Sequence, residues 1–186
     1  MRKMIATLAG VAMFAMPALA DTFSSPRQME ADIGNGWQLQ IMKTTGSWCQ
    51  VIKSYSPSKD LERKTGATFV VVMLKGFAID GKVRHYLEFA SDGFKVTKDK
   101  KYKGSLYFGA RATTKSMQGW TVEWEGSGEN HVGSFISGHA LKRFASSNYM
   151  NPVVGRLDIG YFPMRGSANA LEMLGICAEN LKGLPG

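Results

Sequence analysis

The chain has only two cysteines, Cys49 and Cys177. If they are joined, an early strand is tied to the last predicted helix, and everything between them folds inside one closed loop. Whether they are joined depends on the redox compartment, and the opening residues speak to that. Arg2 and Lys3 precede an apolar run from Met4 to Met16; Pro17 breaks it, and Ala18-Leu19-Ala20 offers small residues to a signal peptidase. This is the layout of a cleaved secretory signal over residues 1–20, with Asp21 as the new N-terminus. A spanning helix takes about 20 apolar residues, and this run is shorter. The expected location is therefore the periplasm or the exterior. There an even pair of cysteines reads as a disulfide. A catalytic or metal-binding thiol is the competing reading, and no CxxC spacing supports it.

The remaining length suits one domain and is short for two. Residues 21–35, "DTFSSPRQMEADIGN", are polar and without a period, and are expected to form a flexible lead-in. Residues 36–186 then form a single globular domain. "GWQLQIMK" and "WCQVIKSY" alternate apolar and polar residues and predict a hairpin across "TTGS". "SPSKDLERKTG" reads as a charged loop. "ATFVVVMLKGFAID" predicts a central strand buried on both faces. Asp80-Gly81-Lys82 turns it into "VRHYLEFA", with Val83, His85, Leu87 and Phe89 opposite Arg84, Tyr86, Glu88 and Ala90. "FKVTKDKKYKGSLYFGAR" predicts two short strands around a lysine-rich turn. "GWTVEWEG" predicts a strand with Trp120, Val122 and Trp124 on one face and Glu123 and Glu125 on the other.

The period then lengthens. "ISGHALKRFASSN" predicts a helix capped by Ser137. "RLDIGYFPM" predicts a strand that Pro163 confines to an edge or an end. "GSANALEMLGICAENLKG" predicts the longest helix, with Ser167 as cap, Lys182 and Gly183 closing it, and Cys177 on its apolar stripe. The expected fold is α+β: a mostly antiparallel sheet, sandwich-like or curved, with two helices toward the C-terminus.

The early cysteine on a hairpin, "FKVTKDKKYKGSLYF" and "GSANALEMLGIC" resemble a group of small exported alphaproteobacterial proteins, and more distantly the invasion-associated locus B family. The resemblance covers most of the chain after the signal. Its motifs are structural, namely a helix cap, an apolar stripe and a disulfide. It implies location and shape, and by analogy a role in the envelope or in host interaction.

Chemistry-bearing patterns are sparse. His85 falls on a strand face with Val83 and Leu87, while His131 and His139 show no HxxxH or HExxH spacing, so no metal is expected. "VGSFISG" places Ser134 and Ser137 near glycines without the spacing of a nucleophile elbow. No phosphate-binding loop or dinucleotide fingerprint is present, and no cofactor is expected. Glu123 and Glu125 share a strand face and could act as an acid–base pair, with Asp92 and Asp158 as companions. A solvated strand face explains them as well.

The most distinctive exposed feature is Lys95, Lys98, Lys100, Lys101 and Lys103, offset only by Asp99. The whole sequence carries a net charge of +8, of which Arg2 and Lys3 leave with the signal. A basic surface attracts anionic lipid headgroups and polysaccharide. Binding of nucleic acid would want more aromatic residues in a strip and is not expected. The functional expectation is an exported, non-catalytic envelope protein that binds a protein partner or an anionic surface through these lysines. The alternative is a small periplasmic hydrolase built from Ser134, a histidine and an acid, or from Glu123 and Glu125. A third option, an assembly component, would expose Trp48, Trp120 and Trp124 as a patch.

Overall fold

The computed structural model describes residues 27–43, 47–79 and 82–181. The expected secretory signal, the tips of the first two predicted hairpin turns, and Lys182 and Gly183 lie outside these residues. The elements are β1 (Arg27–Gly34), β2 (Trp37–Lys43), β3 (Ser47–Tyr55), α1 (Lys59–Thr65), β4 (Val70–Ile79), β5 (Lys82–Ala90) and β6 (Lys101–Gly109). They continue with β7 (Met117–Gly128), β8 (His131–Phe135), α2 (Gly138–Ser146), β9 (Tyr149–Val154), β10 (Leu157–Asp158), β11 (Phe162–Pro163) and α3 (Ser167–Leu181). The architecture is α+β, with one antiparallel sheet in the order β1-β2-β3-β4-β5-β8-β7-β6-β9-β10, and β11 also paired to β9.

The sheet curls around its own core. β3 and β9 stand six places apart, which in a flat sheet would be about 29 Å at 4.8 Å per strand. Yet Tyr55 of β3 lies 5.0 Å, centroid to centroid, from Phe162 of β11, which pairs with β9. Tyr55 Oη also donates to the Pro163 carbonyl at 2.8 Å. Trp37 Nε1 donates to the Arg165 carbonyl at 3.1 Å, fastening the same connection to β2. Trp37, Phe89, Phe108, Trp124 and Phe144 fill the space inside, all nearly inaccessible to solvent. Trp124 is thus core, and Trp48 and Trp120 are half-buried.

α3 lies across the inner face of β1–β5, and α2 packs on α3. Gly76 of β4 lets the helix approach: a Cβ there would stand 3.3 Å from Ala178 Cβ and 3.4 Å from Leu174 Cδ1. Gly76 pairs with Cys49 in the ladder. Beside it the Cys49–Cys177 disulfide closes, with Cα atoms 6.1 Å apart.

Several local expectations are corrected. The charged loop is the helix α1: Ser58 Oγ accepts from Leu61 N, Gly66 ends the helix at φ 72°, and Leu61 alone enters the core. A helix with one buried residue leaves no period to read. Part of the lead-in is β1, paired to β2 from Arg27↔Met42 to Gly34↔Trp37 through the turn Gly34-Asn35-Gly36, all three at positive φ. Among the described residues there are thus three α-helices, and one strand, not two, flanks the lysine turn. Ser167 is not the cap of α3 but a buried residue within it, and Gly166 offers the first carbonyl, to Ala170 N at 3.0 Å. β9 carries Pro152 in a paired strand. Its carbonyl accepts from Ile159 on the side away from β6, so the missing N–H falls outside the β6 ladder.

Candidate functional site

The lysine turn is a strap rather than a hairpin tip. After β5, Phe94 is buried, and Val96 N donates to the Glu129 carbonyl at 3.1 Å. Thr97 N donates to Tyr102 Oη at 2.9 Å. Asp99, at φ 63°, donates its N–H to the Gly126 carbonyl at 2.7 Å, and Gly126 N returns a bond to the Lys100 carbonyl at 3.0 Å. The backbone of residues 94–100 is therefore sewn to the end of β7. Lys95, Lys98, Lys100, Lys101 and Lys103 are all exposed along it. Lys100 Nζ sits over the Tyr102 ring at 5.5 Å, and Lys101 Nζ pairs with Glu123 Oε1 at 2.7 Å.

Next to the strap is a groove of about 430 Å³. Phe94, Val96, Tyr102, Val154 and Leu157 form its apolar wall, and Lys95 and Arg156 stand at it. It exists because the β9–β10 turn comes up against β6, where Gly155 N donates to the Lys103 carbonyl at 2.8 Å. Arg156 thus joins the lysines as a sixth cation. It is remote in sequence, and only its place in a Gly-Arg turn after two valines hinted at exposure. The strap offers apolar surface and positive charge side by side, which suits an anionic amphiphile.

The residues considered for hydrolysis do not converge. Ser134 Oγ lies 3.3 Å from the Phe135 carbonyl, its hydrogen-bond acceptor. His139 is exposed with its ring 5.5 Å from that of Trp120. His85 is half-buried, and burial lowers its pKa. Asp92 accepts from Thr68 N at 2.9 Å and from Thr68 Oγ1 at 2.5 Å. Asp158 accepts from Asn151 Nδ2 at 2.6 Å and from Gly160 N at 2.9 Å. Both aspartates are occupied in tying loops. Glu123 and Glu125 sit on an exposed face beside Lys103 and Lys101.

A different cluster forms around Glu88, which strand alternation places on the face opposite Leu87 and Phe89 and which is 2% exposed. Lys75 Nζ contacts its Oε2, Ser127 Oγ donates to Oε1, and His131 Nδ1 is 3.3 Å from Oε1. Burial pushes the Glu88 carboxyl up, but the His131 hydrogen bond, the Lys75 charge and the Ser127 hydroxyl outweigh it and hold the pKa at about 2. Tyr86, beside this cluster, is pushed up to about 12 by burial and by the charges of Glu88 and Glu125. Serine, histidine and acid meet here, but the hydroxyl donates to the acid and not to the imidazole. A carboxylate this weakly basic takes no proton from a serine at neutral pH. The cluster holds strands β4, β5, β7 and β8 together rather than activating a nucleophile.

Among the described residues, no group of three or more His, Cys, Asp or Glu side chains is placed to hold a metal ion, and no helix is long and apolar enough to cross a membrane. No protein-family model, curated protein or solved structure matches the chain.

Proposed function

We propose that this chain is an exported, non-catalytic binding protein that docks on anionic lipid surfaces of the envelope through the lysine strap. The observation that supports this best is the placement of Lys95 and Arg156 on an apolar groove, with Lys100 Nζ over the ring of Tyr102 on its wall. A phosphate-bearing headgroup meets the cations while an acyl segment lies along Phe94, Val96 and Leu157. The strap is held by backbone hydrogen bonds, so little ordering is needed on binding. Catalysis is the weaker reading, because Ser134 Oγ donates to a backbone carbonyl and Ser127 Oγ to the weakly basic Glu88 carboxylate.

Each Lys or Arg near an anionic bilayer contributes about 1 kcal/mol. Changing Lys95, Lys98, Lys100 and Arg156 to Gln should therefore weaken binding by about 4 kcal/mol, roughly a thousandfold. Co-sedimentation of the mature protein with vesicles of phosphatidylglycerol and phosphatidylcholine would measure it, with pure phosphatidylcholine as control and salt raised in steps. Leu157→Asp tests the apolar wall separately. Binding that ignores salt and survives the four substitutions would reject this function.

A further inference from the structure

β7 and β8 begin as neighbours and then separate. β8 pairs with β5 along its whole length, from Tyr86↔Phe135 to Ala90↔His131. It pairs with β7 only at Glu125↔Gly133, Gly126↔Val132 and Gly128↔His131. Beyond Glu125, β7 runs on to Met117 with β6 on one side and no described strand on the other. The sheet thus contains a slot inside it, bounded by two open strand edges. A cleft of about 560 Å³ fills the gap, with Tyr86, Trp120, Glu123, Glu125, Ser134 and Phe135 on its walls.

The direction of the open hydrogen-bonding groups follows from the ladder. Gly126 exchanges bonds with Asp99 and Lys100, so its N–H and C=O face the β6 side. Neighbouring residues in a strand alternate, so Glu125 faces β8, and Glu123 and Thr121 turn their N–H and C=O into the slot. An open edge of this kind is a template for another strand. The side chains around it are sorted by face. Thr121, Glu123 and Glu125 are exposed on the outer side. Trp120, Val122, Leu106 and Ala140 line the inner side. Phe135, 56% exposed, stands at the mouth with its ring 5.1 Å from Tyr86.

We propose that this slot binds an extended peptide segment of a partner protein by strand addition to β7. The segment alternates basic and apolar residues. Its basic side chains meet Glu123 and Glu125, where they share Glu123 with Lys101. Its apolar side chains enter between Trp120, Val122 and Ala140. The occupant's backbone supplies the bonds that β8 gives up after Gly133. This site lies apart from the Arg156 groove and stands whether or not the lysine strap binds lipid.

The test uses the disulfide-bonded mature protein and fluorescence anisotropy of labelled peptides. The probe alternates lysine and valine over six residues. Controls are a block-sequence peptide of the same composition, an alternating glutamate–valine peptide, and two probes N-methylated at alternate amides, one on each edge. The alternating lysine peptide should bind saturably, and methylation of one edge should weaken it by about tenfold or more while methylation of the other is tolerated. Thr121→Pro should abolish binding while leaving the β6 ladder and the unfolding midpoint nearly intact, because the lost N–H faces the slot. Glu123→Gln with Glu125→Gln should weaken binding of this peptide and remove its salt sensitivity. Equal binding of the block peptide, or indifference to methylation on both edges, would overturn the proposal. So would self-association of the protein, lost in Thr121→Pro and seen by sedimentation velocity, without peptide binding; it would give the slot to a second copy of the chain.

Discussion

Reducing the Cys49–Cys177 disulfide should lower stability by several kcal/mol while leaving the fold in place. The two cysteines are 128 residues apart. Chain-entropy reasoning for a closed loop of that size gives about 5 kcal/mol at 25 °C, and measured values commonly fall at 2–4 kcal/mol. The folded state gives little back. Cys49 is fully buried and Cys177 is 7% exposed, so the two thiols, which must move apart to van der Waals contact, fill the site without leaving a cavity. α3 would still rest on Gly76 through Leu174 and Ala178. The loss therefore falls on the unfolded state, whose chain regains its freedom. Urea unfolding of the protein, oxidised and in excess phosphine reductant, measures it. The midpoint should fall, and the slope against urea should rise, because an uncrosslinked unfolded chain exposes more surface. Far-UV circular dichroism before the transition should be unchanged. Equal midpoints, with mass spectrometry confirming full reduction, would refute the reasoning. Peptide mapping without reductant should show one Cys49–Cys177 linked peptide.

Acid should act through Glu88. Its folded pKa of about 2 lies below the ordinary 4.5, so the unfolded state binds more protons between these values. The stabilisation, on the order of 3 kcal/mol, is present above pH 4.5 and is lost as pH falls toward 2. Urea midpoints from pH 6 to pH 2 should drop more steeply in the wild type than in Glu88→Gln, and parallel curves would count against it. Gly104→Ala should destabilise by about 3 kcal/mol, since the new Cβ would strike the Val153 carbonyl and stand 2.7 Å from Trp124 Nε1, which itself donates to that carbonyl at 2.9 Å. Its thermal midpoint, read by tryptophan fluorescence, should fall by several degrees. Ser137→Ala removes the side-chain acceptor for Ala140 N and should cost about 1 kcal/mol by the same urea assay.

Elements with a clean period were legible in the sequence, and those held by capping or pairing alone were not. β2, β3, β5 and β7 alternate because one face of each enters the curled core, and α2 and α3 show their stripes for the same reason. α1 has a serine cap, a glycine stop and acidic residues in its first turn, but only Leu61 is buried, so the charged residues dominated. β1 lies on the sheet's edge, where Ala31 and Asp32 are exposed and neither face imposes a pattern. β9 was hidden by Pro152, whose edge-facing nitrogen no local rule reveals.

The site was harder to read because its parts come together only through topology. The five lysines were visible as a run, but the apolar groove beside Lys95 needs β9 next to β6, and with it Arg156. Alternation sets Glu88 on the face opposite Leu87 and Phe89 and by itself does not mark that face as buried, yet both faces are buried here. One signal pointed to that burial. "VVVMLKGF" is a central strand with one charge, Lys75, and a charge in such a strand calls for a partner across the ladder. Lys75 lies opposite Tyr86, and Glu88 is two residues along on the same face. The lone lysine was thus the sequence's evidence for a buried acid. The same register sets Glu88, Gly133 and Glu125 in one row across β5, β8 and β7. That row is the last point where β7 and β8 are joined before the slot opens. The Glu88 cluster therefore fixes the end of the slot, and loosening it should shift peptide binding as well as stability.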